Sequence, residues 1–171
     1  MITTRPSPIE YKGLNFLIMD APDNSTIHLY IKEMKKHNVT TLVRTCEPTY
    51  SETKLTQEDI DPHDLAFPDG LEPPDSIIST WLELVTKVFN VRKGVPDNTD
   101  RCIAIHCVAG LGRAPIMVII ALIEAGMDNM DAVDFVRRAR RGAINHRQLQ
   151  FLTKYKRKGV WKKAQSCCTI F

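Results

Sequence analysis

The sequence predicts an α/β fold with a central, mainly parallel sheet flanked by helices. Three observations carry that prediction. Two short runs, Val39-Thr40-Thr41-Leu42-Val43 and Cys102-Ile103-Ala104-Ile105, are apolar or β-branched, as strands covered on both faces tend to be. Around them lie stretches with apolar residues at helical spacing. Finally, Arg101 to Ala121 passes from a strand-like run through a glycine-bearing loop straight into an apolar run of helical length. With 171 residues, the chain fits one domain that buries roughly two-thirds of its unfolded surface without disulfides.

Ile9 to Met19, rich in Ile, Leu, Tyr and Phe and broken at Lys12-Gly13, reads as a hairpin or two short strands. Asn24 or Ser25 caps a helix carrying Ile27, Tyr30, Ile31 and Met34 on one face and ending near His37-Asn38. The Val39–Val43 strand delivers Arg44, Thr45 and Cys46 at its C-terminal end, the sheet edge where ligands of open α/β folds bind. Glu47 to Ile60 is polar and loop-like, with room for one short helix. A strand then leads to Phe67-Pro68-Asp69-Gly70 on a mobile loop. Pro73-Pro74 opens a helix with Ile77, Ile78, Trp81, Leu82, Val85, Val88 and Phe89 on a broad apolar face, stopping before Gly94. Asp128 or Asn129 caps a helix with Val133 and Val136, after which Arg137, Arg138, Arg140 and Arg141 read as a solvated face. Asn145 to Tyr155 is a last amphipathic helix with Leu149 and Leu152 inward.

Composition narrows the class. The N-terminal twelve residues are polar, contain two prolines and lack the apolar core of a signal peptide. The longest apolar run, Ala114 to Ile123, falls short of the ~18 residues of a membrane span and reads as a buried helix. Five cysteines, an odd number without framework or zinc spacing, point to a reducing compartment and to no metal or cofactor. The net charge of +3 hides an asymmetry. Phe135 to Phe171 holds eleven Lys and Arg and no acid, leaving twelve basic and twenty acidic residues before it. That polarity fits an anionic partner, whether membrane surface, nucleic acid or acidic protein.

The chemistry gathers at His106-Cys107-Val108-Ala109-Gly110-Leu111-Gly112-Arg113. In a loop that opens a helix, successive backbone N–H groups converge, and the helix N-terminus adds partial positive charge. Val108, Ala109, Gly110, Leu111, Gly112 and Arg113 then cradle a phosphate without a metal. The same field stabilises a thiolate at Cys107, making it a nucleophile, while Arg113 offers a planar fork for two oxygens. A leaving alkoxide also needs a proton, and Asp69 is the candidate acid. On residues alone, its Asp-Gly pair is equally a plain turn. Cys46 is either a core thiol or a redox partner of Cys107, and Gln148 an ordinary glutamine or a group facing the loop.

The signature His106 to Pro115 resembles that of cysteine-based protein tyrosine phosphatases. More narrowly, it is similar to the type IVA, or phosphatase-of-regenerating-liver (PRL), family. The resemblance extends to Val43-Arg44-Thr45-Cys46-Glu47, Phe67-Pro68-Asp69-Gly70, Arg140-Arg141-Gly142-Ala143-Ile144-Asn145 and the terminal Cys168-Thr169-Ile170-Phe171. It implies a dual-specificity phosphatase fold, Asp69 as general acid, a reversible disulfide between Cys46 and Cys107, and Gln148 positioning the hydrolytic water. Phe67 stands where many tyrosine phosphatases have tryptophan. Ala114 stands where the wider superfamily has a serine or threonine that eases thiolate departure, so slow turnover is expected. The apolar loop side chains favour a phosphoprotein over an inositol phosphate. The alternative function is a binding module that grips an acidic loop of CNNM-type magnesium transporters, with phosphorylation of Cys107 as the off switch. Family members also self-associate as trimers.

Cys168-Thr169-Ile170-Phe171 is a C-a-a-X prenylation box, and the terminal phenylalanine favours geranylgeranyl at Cys168. Lys154, Lys156, Arg157, Lys158, Lys162 and Lys163 supply the second signal, since a single chain anchors marginally. The expected organisation is a phosphatase domain over residues 1–157 and a basic tail over 158–171. By resemblance, that tail holds the protein at the cytoplasmic face of plasma and endosomal membranes by anionic lipid, with a nuclear location when unprenylated. Nucleic acid is disfavoured as a partner.

Overall fold

The computed structural model describes residues 1–162. Five strands form one sheet, β1 (Ser7–Tyr11), β2 (Leu14–Met19), β3 (Val39–Arg44), β4 (Asp61–Asp64) and β5 (Cys102–His106), in the order β1-β2-β5-β3-β4. Only the β1–β2 pair is antiparallel. Lys12 and Gly13, at φ 48° and 83°, turn that hairpin with the left-handed pair that suits the twist of two joined strands. β5 lies in the middle, between β2 and β3, so its end is the middle of the sheet edge.

Both faces of the sheet are covered, which explains the unbroken apolar runs. Phe16, Ile18, Ile103 and Ile105 enter one cluster with helices α3 (Asp75–Phe89), α4 (Arg113–Glu124), α5 (Asn129–Ala139) and α6 (His146–Lys154). Their neighbours Leu17, Met19, Cys102 and Ala104 point the other way, to α1 (Ile27–Lys36) and the short α2 (Thr53–Gln57). Every residue of α4 is buried, as its uniformly apolar run implies. At the core's centre, the Trp81 indole donates to the Met117 carbonyl at 2.8 Å, satisfying its one polar atom.

Three expectations are corrected. The α1 N-terminus is organised by Asp23, whose carboxylate accepts from the Ser25 and Thr26 amides at 2.8 Å each, rather than by Asn24 or Ser25. Asn24 reaches across to the Ser51 amide instead. The four arginines are not one solvated face: Arg138 and Arg141 are exposed, but Arg140 is only 4% exposed, because the chain leaves the helix in extended conformation there. Packing also runs past residue 157. Trp161 is buried in the main cluster, and its Nε1 donates to Thr86 Oγ1 at 2.7 Å. Lys163 and the whole C-a-a-X box, Cys168 included, lie outside the described residues.

Candidate active site

β5 carries the chain to the middle of the sheet edge and ends at His106, with α4 starting at Arg113. The connection, Cys107 to Gly112, is pinned from outside through its carbonyls. Ala21 N–H donates to Val108 O at 2.9 Å, Arg140 Nη2 to Ala109 O at 3.2 Å, Arg140 Nε to Gly110 O at 2.8 Å, and Ile144 N–H to Leu111 O at 2.6 Å. A trans peptide sets each following N–H opposite to its carbonyl. The amides of Ala109, Gly110, Leu111 and Gly112 therefore face inward, and none donates to a protein acceptor among the described residues. Together with the α4 N-terminus, this is a preformed oxyanion cradle. Gly110 sits at φ 69°, where a Cβ would lie 2.5 Å from the Met19 carbonyl, so glycine is required.

Cys107 is buried at the mouth of this loop, while Val108 is 62% exposed and, with Leu111, forms an apolar rim. The Arg113 side chain turns back toward the loop after β4. Its Nη1 lies 3.4 Å from the Phe67 carbonyl, and its Nε lies 3.4 Å from Asp69 Oδ1 without a well-aligned hydrogen bond. Asp69 itself is largely solvated, its side chain 83% exposed, and so is free to meet a substrate arriving from outside. Phe67, two residues earlier, is buried in the core and moors that loop.

The N-terminus of α6 supports the same loop. Asn145 Nδ2 donates to Gly70 O at 3.0 Å, and Gln148 Nε2 to Leu71 O at 3.1 Å, while Arg147 forks onto Glu72 at 2.8 and 3.1 Å. That guanidinium holds the Glu72 carboxyl down at about 2. Asn145 and Gln148 also complete a reciprocal capping box, with Gln148 Oε1 accepting from the Asn145 N–H. Gln148 is fully buried beside Gly112, so it is no surface glutamine.

Behind the cysteine lies a buried polar chain. His106 Nδ1 lies 3.1 Å from the Cys107 carbonyl and 3.9 Å from Cys46 Sγ, and Nε2 lies 2.6 Å from the Tyr50 hydroxyl. A carbonyl can only accept, so Nδ1 carries the proton and Nε2 accepts from Tyr50. Arg44 stacks over the Tyr50 ring at 5.5 Å and is itself paired to Asp64 at 2.5 and 2.7 Å. Cys46 shares the core cluster with Cys107, and burial first, with the neighbouring Cys107 charge, pushes the Cys46 thiol up despite Arg113.

The structure thus brings Cys107, Arg113, Asp69, Gln148 and Cys46 to one edge of the sheet. Reading the sequence missed Arg140, Tyr50 and Asn145 as parts of the site. Asn145 had a usable signal, an N-cap residue followed three positions on by glutamine. Tyr50 had none, being a lone aromatic in a polar stretch.

A buried cysteine at the mouth of an amide-lined loop, with an arginine at the following helix and an aspartate across from it, is the arrangement of a cysteine-based phosphatase. Residues 16–156 match the protein-tyrosine phosphatase family model. The chain is 49% identical to the Drosophila melanogaster PRL-1 phosphatase over 92% of this chain and 88% of that protein. It is 47% identical to human protein tyrosine phosphatase type IVA 3 over 90% and 87%. A solved structure described as a Leishmania major protein tyrosine phosphatase superposes with a TM-score of 0.77 at 38% identity, covering 90% of this chain and all of that one. The fold alone recurs in the crystal structure of human DUSP28, with a TM-score of 0.61 at 10% identity over 89% of this chain and 93% of that one. The chain belongs to the protein-tyrosine-phosphatase family, in its type IVA or PRL branch.

Proposed function

We propose that this protein hydrolyses phosphoproteins slowly through a phosphocysteine, at a membrane surface. The observation that carries the reading is the outward pinning of the loop carbonyls above Cys107, which leaves their amides free for an oxyanion. The Cys107 thiolate attacks phosphorus and forms the S–P bond. The P–O bond breaks as Asp69 gives its proton to the departing oxygen. Arg113 and the loop amides carry the charge on the equatorial oxygens, which is where most of the catalysis in such a loose transition state resides. Water then attacks phosphorus, its proton passes to the Asp69 carboxylate, and the S–P bond breaks. Gln148, buried beside the loop with one N–H to spare, orients that water.

Ala114, fully buried at the start of α4, offers the departing thiolate no hydroxyl, so the phosphoenzyme is long-lived. The apolar rim of Val108 and Leu111 supports a second use of the pocket, gripping the acidic loop of a CNNM-type magnesium transporter until Cys107 is phosphorylated. Cys46, on the nucleophile's buried side, closes a disulfide with Cys107 under oxidation. The basic residues that follow α6 and a prenyl group on Cys168 hold the domain to an anionic leaflet.

The test is the first turnover of a chromogenic phosphate ester by reduced protein. A burst of one equivalent followed by slow release, absent in Cys107→Ser and with release accelerated in Ala114→Ser, is the expected result. A folded wild type that gives no burst and no cysteine-linked phosphate would overturn the catalytic reading in favour of the binding module.

A further inference from the structure

Arg140 is a buried charge whose partners are not carboxylates. It follows α5 in extended conformation, so its side chain leaves the helix and runs beneath the phosphate loop. On one side, Nε and Nη2 donate to the consecutive carbonyls of Gly110 and Ala109 at 2.8 and 3.2 Å. On the other, Nη1 donates to the Arg5 carbonyl at 3.1 Å and the Ser7 hydroxyl at 3.3 Å. Burying a guanidinium is costly, and burial lowers its pKa, while the charges of Asp20, Cys107 and Tyr30 act the other way. The arrangement uses what distinguishes arginine from lysine: a planar fork that meets two neighbouring carbonyls while a third nitrogen faces the opposite direction.

The consequence for the loop is geometric. Holding the Ala109 and Gly110 carbonyls on the Arg140 side turns the Gly110 and Leu111 N–H groups toward the oxyanion position. A Cβ on Gly110 would come within 2.4 Å of Nη2, so guanidinium and loop backbone are in direct contact. Both peptide planes are therefore held by one side chain, and that side chain is held in turn by the start of the chain.

We infer that Arg140 is a positioning residue for the phosphate loop and that Arg5–Ser7 is the far anchor of the same strap, so that the N-terminal segment sets the loop's affinity for an oxyanion. The inference rests on Cys107 to Arg113 being the phosphate site. Arg140 touches neither substrate nor nucleophile; it acts through the peptide planes it holds.

The experiment measures the affinity of the full chain for inorganic tungstate, as a competitor of 4-nitrophenyl phosphate, alongside kcat, KM and Tm. The variants are Arg140→Lys, Arg140→Met, Ser7→Ala and a deletion of residues 1–5, which removes the Arg5 carbonyl. Val136→Ala, a core truncation on the same helix, reports what lost stability alone does. Arg140→Lys should weaken tungstate about tenfold, the scale of one lost charge-assisted hydrogen bond, and the deletion about threefold. Both should exceed the effect of Val136→Ala at a comparable Tm. Tungstate affinity in Arg140→Lys no weaker than in Val136→Ala would overturn the inference. Should both Arg140 variants fail to fold, unchanged affinity in the deletion and in Ser7→Ala overturns it equally. A wild type that binds no tungstate would instead overturn the phosphate-site reading on which the inference rests.

Discussion

The hydroxyl of Tyr50 lies 2.6 Å from Nε2 of His106, deep behind Cys107, and the imidazole donates its one N–H, at Nδ1, to the Cys107 carbonyl. The ring is therefore neutral in the folded state, and burial pushes its pKa down to about 4. In the unfolded chain histidine titrates near 6.5, so from there down to about 4 the unfolded state binds a proton that the folded state refuses. Stability is at its full value above about 6.5 and falls as pH drops, by about 3 kcal/mol at pH 4 from this one group. Urea midpoints between pH 7.5 and 5 should fall in the wild type and stay flatter in His106→Asn. Equal slopes in the two proteins would mean that His106 is not the group responsible.

Tyr50→Phe isolates the hydroxyl. The phenyl ring keeps its place under Arg44, while Nε2 of a fully buried imidazole loses its donor. A buried acceptor left unpaired costs about 1–3 kcal/mol, and the denaturation free energy at pH 7.5 should fall by that amount. A loss within experimental error of zero would mean that the 2.6 Å contact contributes nothing.

The Asp69 loop is held by α6 through Asn145 and Gly70. Asn145→Ser keeps an oxygen for the helix cap but cannot reach the Gly70 carbonyl, so the cap survives while the loop loses its tether at Gly70 and keeps those at Leu71 and Glu72. General-acid catalysis matters most for a poor leaving group. The first-turnover rate should therefore fall about tenfold for phenyl phosphate and less than about twofold for 4-nitrophenyl phosphate. Equal losses for both esters would show that Asn145 acts on the phosphate loop or on folding, not on delivery of the proton.

What could be read from the chain follows how local each interaction is. The strands β3 and β5 were legible because residues buried on both faces leave an unbroken apolar run, and the strand, loop and helix around Cys107 lie in consecutive residues. Arg140 was not, since among Arg137, Arg138 and Arg141 nothing local marks the one that turns inward. Its burial depends on carbonyls about thirty residues earlier and on Arg5 and Ser7 at the other end of the chain. Tyr50 likewise acquires its role only when β3 and β5 pair and bring His106 beside it.

The end of the domain shows the same limit. A basic stretch after α6 reads as tail from Lys158 onward, yet Glu124, at the end of α4, accepts from the Lys158 N–H at 2.5 Å, the Gly159 N–H at 3.2 Å and the Tyr155 hydroxyl at 2.9 Å. That carboxylate is nearly buried and needs its donors. Two residues on, Trp161 fills the space beside Gly94, where a Cβ would meet its carbonyl at 2.6 Å. Ending the chain at residue 157 removes the indole and two of the three donors to Glu124, and burying a large aromatic side chain is worth about 3–5 kcal/mol by truncation. Thermal and urea unfolding should show a loss of that size for the shortened chain, and Trp161→Ala in the full-length protein should reproduce most of it. If the chain ending at residue 157 unfolds at the wild-type midpoint, residues 158–161 are tail after all, and the packing of Trp161 against Thr86 adds nothing to the domain.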